Sequence, residues 1–333
     1  MILIDALYIN GGGAKVLLDY LISELEKTQK EIHYLIDERI TGEIQPVKST
    51  NILQYSKSSI LSRINFYRRH RYNFSSVLCF GNLPPEIKPK AKVYTYFHQP
   101  LFLDIPENFS IRNKFFYSLK IQILHLLKNN TDLWWVQSDL IKELFTKKFH
   151  KTNVKILPFF PPLSGECRSE KEKHSYLYVS NAPPHKNHKI LIEAFCTFFD
   201  ERRVGKLILT VSKNYPEIEK IIQKKIAQKY PIENIGFVQR AELADIYGRA
   251  EYLIYPSLAE SFGLGLVEAI ENGCMVIGAD LPYTHAVCKP SLTFNPLSVD
   301  SIVTALSLSL QNNQKPSENK IKNNISEIIS LLH

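Results

Sequence analysis

The chain has 333 residues, of which 44% are hydrophobic and 22% charged, which excludes a disordered chain and is long enough for two cores. Its formal net charge is +8, and residues 1–160 hold 22 Lys and Arg against 14 Asp and Glu, so the whole excess lies in the first half. That excludes a uniformly basic coat and points to two domains, one facing something anionic. No stretch approaches the ~18 uncharged apolar residues of a membrane span. The start, MILID, lacks a basic region and meets an acid at Asp5, so it does not read as a signal peptide. Cys79, Cys167, Cys196, Cys274 and Cys288 are widely spaced, with no CxxC pair. They read as reduced, buried thiols of a cytosolic protein.

In chain order, residues 2–7, 32–36, 76–80, 93–97 and 133–136 are apolar runs that predict buried strands. Helical patterns at 14–27, 58–70, 111–128 and 138–149 lie between them. The second half repeats this: strands at 176–179, 207–211, 235–238, 252–255 and 275–277, helices at 187–199, 216–229, 240–248 and 264–272. The alternation predicts parallel sheets with helices on both faces, two sheets of about five strands fitting domain sizes better than one of ten. The proline-rich LPFFPP at 157–162 ends regular structure. The expected division is a domain at 1–160, a linker at 161–174, a domain at 175–315, and a last amphipathic helix at 316–333 that returns to the first domain.

Four stretches carry candidate chemistry. NGGGAK at 10–15 follows the first strand and opens a helix; it is either a tight turn or a loop facing a phosphate. It fits neither the dinucleotide nor the P-loop fingerprint. YTYFHQP at 94–100 places His98 at a strand end, where open parallel sheets bind ligands. VSNAPPHKNH at 179–188 brings His185 and Lys186 to a helix start, where cations are disfavoured unless an anion is also present. The fourth, YPSLAESFGLGLVEAIENG at 255–273, runs from a strand end through Glu260 and Gly263 into a helix bearing Glu268. One carboxylate there can accept from sugar hydroxyls and the other from a ribose, while amides at the helix start hold phosphate.

The fourth stretch, with FVQRAELADIYGRAEYLIYPS before it and PHKNHKILIEAF earlier, resembles the family 4 retaining glycosyltransferases, and Glu260 and Glu268 stand as that family's E-x7-E pair. The resemblance runs over about residues 175–295; the first half shares only the glycine loop and His98. It implies a GT-B fold: α/β, two Rossmann-like parallel-sheet domains facing each other across a cleft. Residue by residue, it implies that Glu260 contacts hydroxyls of the transferred sugar and Glu268 the ribose. The amides of Ser261, Phe262, Gly263 and Leu264 cradle the diphosphate, and Lys186 neutralises it. Gly12 and Gly13, with Gly11, face the donor, His98 lies near the sugar, and Val238, after Phe237, borders the base. One departure is plain: the family's arginine five residues before the lysine is Asn181 here. Lys213 and Arg240 are the candidate replacements.

The expected activity is transfer of a hexose-type sugar from a UDP- or GDP-sugar to a glycan or lipid-linked glycan, in bacterial surface polysaccharide synthesis (O-antigen, capsule or lipopolysaccharide). No DxD sequence occurs, which speaks against an aspartate-held divalent ion; neither metal nor cofactor is expected. A GT-B epimerase, a phosphorylase, and a non-enzymatic basic membrane- or nucleic-acid-binding protein are the competing readings. No nucleic-acid motif accompanies the basic half, so nucleic acid is not the expected partner. The arginines at 63, 68, 69 and 71 and the basic, aromatic stretch 111–128 favour an anionic membrane surface, the chain lying peripherally on the inner face of the cytoplasmic membrane. The competing reading of 111–128 makes Phe115, Phe116, Leu119, Ile123 and Leu126 core.

Overall fold

The computed structural model describes residues 1–105, 110–163, 170–311 and 313–333. They divide into two compact units: Met1–Pro161 with Lys322–His333, and Pro162–Ile321. Among them no helix is long and apolar enough to cross a membrane.

The first unit holds strands β1 (Ile2–Ala6), β2 (Ile32–Asp37), β3 (Ile52–Ser56), β4 (Ser76–Cys79), β5 (Lys92–Phe97), β6 (Leu133–Val136) and β7 (Val154–Ile156). They form one sheet in the order β3-β2-β1-β4-β5-β6-β7, every neighbouring pair parallel. Helices α1 (Gly12–Glu26), α2 (Ile60–His70), α3 (Ile111–Leu127) and α4 (Asp139–Phe149) connect them. β1, β2 and β4 are buried along their whole length, as expected of a parallel sheet covered on both faces. One core cluster joins Leu3, Leu35, Phe66 and Val77 beneath α2; another joins Phe97, Leu124, Trp134 and Phe145 beneath α3 and α4. Serines cap α2, α3 and α4: Ser59, Ser110 and Ser138 each accept a backbone N–H three residues on.

The second unit holds β8 (Glu172–Tyr178), β9 (Lys206–Leu209), β10 (Ile232–Asn234), β11 (Ala250–Tyr255), β12 (Met275–Ala279), the short pair β13 (Cys288–Lys289) and β15 (Glu318–Asn319), and β14 (Leu292–Phe294). Its main sheet runs β10-β9-β8-β11-β12-β14, all parallel. This is the doubly wound order in which the strand sequence reverses between the first and fourth strands, here β8 and β11. Helices α5 (His188–Arg202), α6 (Pro216–Ala227), α7 (Arg240–Arg249), α8 (Leu264–Glu271), α9 (Pro282–Val287) and α10 (Val299–Ser309) complete it, and α11 (Ile325–Leu331) lies in the first unit.

Several expectations need correction. The sheets have seven and six strands rather than about five, because the short strands β3, β7 and β14 add to them. The third strand of the second unit is Ile232–Asn234, not 235–238. Asn234 ends its ladder by turning its side chain onto the Val211 N–H and C=O (2.9 and 3.0 Å), and Gly236 then takes φ +74°. Phe237 and Val238 therefore lie in the loop before α7, with Phe237 exposed. β8 begins at Glu172, inside the stretch read as linker, and residues 164–169 of that stretch, including Cys167, lie outside the described residues. The other four cysteines are free and buried.

Candidate functional site

In the second unit the site forms where the strand order reverses, at the carboxyl ends of β8 and β11, the place where such sheets bind ligands. After β8, residues 184–186 make one tight turn and α5 begins at His188. After β11, a loop leads through Glu260 to α8, whose first turn is entered through Gly263 at φ +71°, a conformation that glycine adopts without penalty. Hydrogen bonds join the two loops: Leu258 N donates to His185 O (2.8 Å) and the Asn187 side chain donates through Nδ2 to Pro256 O (3.3 Å), reaching also Pro296 O beyond β14 (2.7 Å). Tyr283 OH donates to Ser257 O at 2.6 Å, fixing the second loop from behind.

This framework brings Lys186 to Glu260: the ammonium donates to Oε1, which also accepts from Tyr255 OH at 2.9 Å. Tyr178 OH donates to Lys186 O at 3.0 Å, and its ring meets that of Tyr255 edge to face. Burial, with the Glu260 charge beside them, raises the Tyr178 and Tyr255 hydroxyls well above the ordinary tyrosine value. Both phenols are therefore fixed hydrogen-bond donors. Burial, then the Lys186 charge, lowers the His185 imidazole.

Glu268, on the second turn of α8, is only 4% exposed. Arg240 Nη1 donates to its Oε1 (2.5 Å) and Tyr247 OH to its Oε2 (3.3 Å). Burial raises the Glu268 carboxyl, and Arg240 opposes that rise. Each carboxylate of the pair thus has its own cation, supplied by a different element. Arg240 stands against Glu268. Lys213 is exposed beyond β9. Asn181 is exposed in the loop after β8, and among the described residues no hydrogen bond joins it to Lys186 or Glu260.

The residues at 261–264 enter α8, which has no side-chain bond to its first turn. Phe262 and Gly263 are buried, and Ser261 and Leu264 are half-buried. A helix start of this kind presents N–H groups to an anion. Among the described residues no cluster of three or more His, Cys, Asp or Glu side chains could hold a metal ion.

In the first unit the analogous reversal lies between β1 and β4. Gly11, Gly12 and Gly13 open α1, exposed, with nothing within 4 Å of a Cβ built on any of them and no side-chain cap. His98 follows β5 and is half-buried. Its Nε2 meets Phe80 O at 2.9 Å, and its backbone N donates to Asn82 Oδ1 at 2.7 Å. Burial lowers its pKa to about 4, so the ring is neutral at pH 7; with the Nε2 proton on Phe80 O, Nδ1 is an acceptor.

Nothing in the sequence marks Tyr178, Tyr247, Tyr255 or Asn82 except nearness to a motif, as with Tyr255 five residues before Glu260.

Residues 163–327 match the family Glycosyl transferases group 1. Among curated proteins, the chain is 26% identical over 163 residues to the O-antigen chain mannosyltransferase B of Escherichia coli, covering 46% of this chain and 42% of that protein. Thus it spans less than half the length of that relative. Among solved structures it resembles sucrose-phosphate synthase from Thermosynechococcus elongatus (TM-score 0.70, 14% identity, 93% of this chain and 89% of the other). It also resembles Anabaena HepE, solved with UDP and glucose (TM-score 0.64, 13% identity, 99% and 94%). The two parallel-sheet units are a GT-B fold, and the second is similar to the group 1 glycosyl transferases, whose model it matches over just under half of the chain.

Proposed function

We propose that the chain is a retaining transferase that moves a hexose-type sugar from a UDP- or GDP-sugar to a glycan or lipid-linked glycan acceptor in bacterial surface polysaccharide synthesis. One observation carries the reading: at the strand reversal of the second unit, two carboxylates, each matched by a cation, stand beside a helix start without a side-chain cap. This is a set of groups suited to a sugar, a ribose and a diphosphate together. The E. coli O-antigen relative and the neighbour holding UDP and glucose support the substrate class.

In the reaction the bond between the anomeric carbon and the diphosphate oxygen breaks, and a bond to the acceptor oxygen forms. The acceptor proton passes to a donor phosphate oxygen on the same face, and the nucleoside diphosphate leaves. Negative charge grows on the diphosphate. The amides of Ser261, Phe262, Gly263 and Leu264, with Lys186, oppose it electrostatically. On this reading Lys186 exchanges Glu260 for phosphate when the donor binds, and this frees Glu260 to accept from sugar hydroxyls. Glu268 holds the ribose, Val238 borders the base, and Asn181 stands at the donor loop. In the first unit, Gly12, Gly13 and neutral His98, an acceptor at Nδ1, are the proposed donor-binding groups. No metal or other cofactor is needed, because lysine and amides already balance the leaving charge. The acceptor is anionic and membrane-borne, matched to the basic first half, which places the chain peripherally at the inner face of the cytoplasmic membrane.

The test is a panel of UDP- and GDP-sugars assayed for binding and turnover, with and without EDTA. Release of nucleoside diphosphate from at least one donor, unchanged by EDTA, is expected. Absence of both binding and turnover across the panel overturns the transferase reading; loss of activity in EDTA overturns its metal-independence alone.

A further inference from the structure

Helix α3 leaves more of its large apolar residues exposed than buried. Ile121 and Leu124 are its buried residues, set against Phe97, Trp134 and Phe145. On the other side Ile111 is 88% exposed, Phe115 68%, Leu119 50% and Leu126 80%. Spacings of four, four and seven residues place these four on one face, and at 3.6 residues per turn that face is about half a turn from Ile121 and Leu124. Phe116, also exposed, widens the stripe. Single exposed apolar residues are ordinary, but a contiguous stripe along a helix marks an interaction site. Positive charge accompanies it. Arg112 is exposed within the stripe, its guanidinium 5.9 Å from the Phe116 ring centre. Lys114 and Lys120 flank it, and no Asp or Glu occurs anywhere in residues 111–127.

We propose that this face of α3 docks the chain on an anionic phospholipid bilayer. Phe115, Phe116, Leu119 and Leu126 enter the boundary between headgroups and acyl chains, while Arg112, Lys114 and Lys120 meet lipid phosphates. A bilayer satisfies both halves of the face at once. A second copy of the chain would bring the same cations against one another. The inference deepens the membrane-borne part of the functional reading by naming the element that holds the bilayer, but it does not depend on sugar transfer.

The test is flotation of the full chain with vesicles of phosphatidylcholine, with and without phosphatidylglycerol. The unaltered chain is expected to float with the anionic vesicles, weakly with the neutral ones, and less at high salt. F115S/L119S is expected to lose flotation while keeping every charge and, being altered only at exposed positions, its melting temperature. R112E/K120E is expected to lose about fivefold or more per cation. Free inorganic phosphate is expected not to compete. Failure of the unaltered chain to float, or flotation of F115S/L119S at the unaltered level, overturns the proposal. So does self-association in light scattering that F115S/L119S abolishes without any vesicle binding. Turnover of a soluble acceptor by F115S/L119S, expected to persist, separates failure of docking from failure of the transferase reading.

Discussion

At the scale of single residues, the two acids of the candidate site differ in what surrounds them. The Glu260 side chain is 13% exposed and shares its oxygen between a lysine and a phenol. The Glu268 side chain is 5% exposed and held by Arg240 and Tyr247. Under the proposed reading, Glu268→Ala removes a charged acceptor from the ribose and should raise the nucleoside diphosphate Kd about tenfold or more. Glu260→Ala should leave that Kd within a few-fold and lower kcat about a hundredfold. Calorimetry with the nucleoside diphosphate and steady-state turnover separate the two, and negligible change in both variants removes the site assignment. A second residue-scale prediction concerns His188, which is 2% exposed, packs its ring against Tyr178 at 4.8 Å, and has its pKa lowered by burial to about 4. A histidine in the unfolded chain titrates near 6.5. Above that pH neither state is protonated there, and stability is at its full value. As pH falls from 6.5 to 4 only the unfolded chain takes up the proton, so stability drops, by about 2–3 kcal/mol at pH 4. Urea unfolding from pH 7 to pH 4 should show this slope together with that of His98, whose pKa burial lowers equally, and His188→Leu should remove the His188 share; an unchanged slope would show that His188 is not one of its sources.

At the scale of elements, the sequence showed a segment well where its periodicity and its burial agreed. β1, β4 and β6 are short apolar runs buried nearly throughout, and α8 starts at a glycine after an acidic loop, so the Glu260 and Glu268 placement was readable. β3 and β7 were not, because they are the outer strands of their sheet: Ile52 at the start of β3 is 43% exposed, and β7 has three residues, too few for an alternation to register. α3 shows the opposite failure. Its apolar residues were readable, but periodicity alone does not tell which face meets the protein. The structure gives the core contacts to Ile121 and Leu124, so Phe115, Phe116, Leu119 and Leu126 are not core. The pairing of Arg240 with Glu268 was equally out of reach, since it joins two elements 28 positions apart. A test at this scale is Gly81, two residues past the end of β4, beside the strand reversal of the first unit. A Cβ there would lie 2.2 Å from Leu7 O, a backbone atom with no rotamer to yield. Gly81→Ala must push apart the chain ends after β1 and β4 and should cost about 2–4 kcal/mol in urea unfolding. A cost below about 0.5 kcal/mol would mean that the two loops separate freely.

At the scale of the whole molecule, the chain leaves the first unit at Pro161 and returns to it at Lys322. The returning segment is bound by backbone as well as side chains. Asn324 N donates to Pro158 O (2.8 Å), Asn323 Nδ2 to Phe160 O (2.7 Å), Lys30 Nζ to Leu332 O (2.6 Å) and Tyr94 OH to Leu331 O (3.0 Å). Ile325, Ile328 and Leu332 are buried, and Lys155 pairs with Glu327 at 2.6 Å. The ion pair is exposed at both ends and contributes little. The three apolar side chains carry the attachment, each contributing about 1.5–3 kcal/mol before the cost of ordering the segment is subtracted. Removing residues 322–333 should therefore destabilise the first unit by about 3–5 kcal/mol and leave the second, which ends at Ile321, nearly unchanged. Hydrogen exchange followed by peptide mass spectrometry reads the two units separately: protection should fall in β1, β2 and α1 and hold in β8, β11 and β12. A uniform loss across both units would show instead that they unfold as one body. Unchanged protection in α1 would show that the returning helix only rests on the first unit. Supplying residues 322–333 as a separate peptide should restore protection in α1, because the attachment made by Ile325, Ile328 and Leu332 does not require the covalent link.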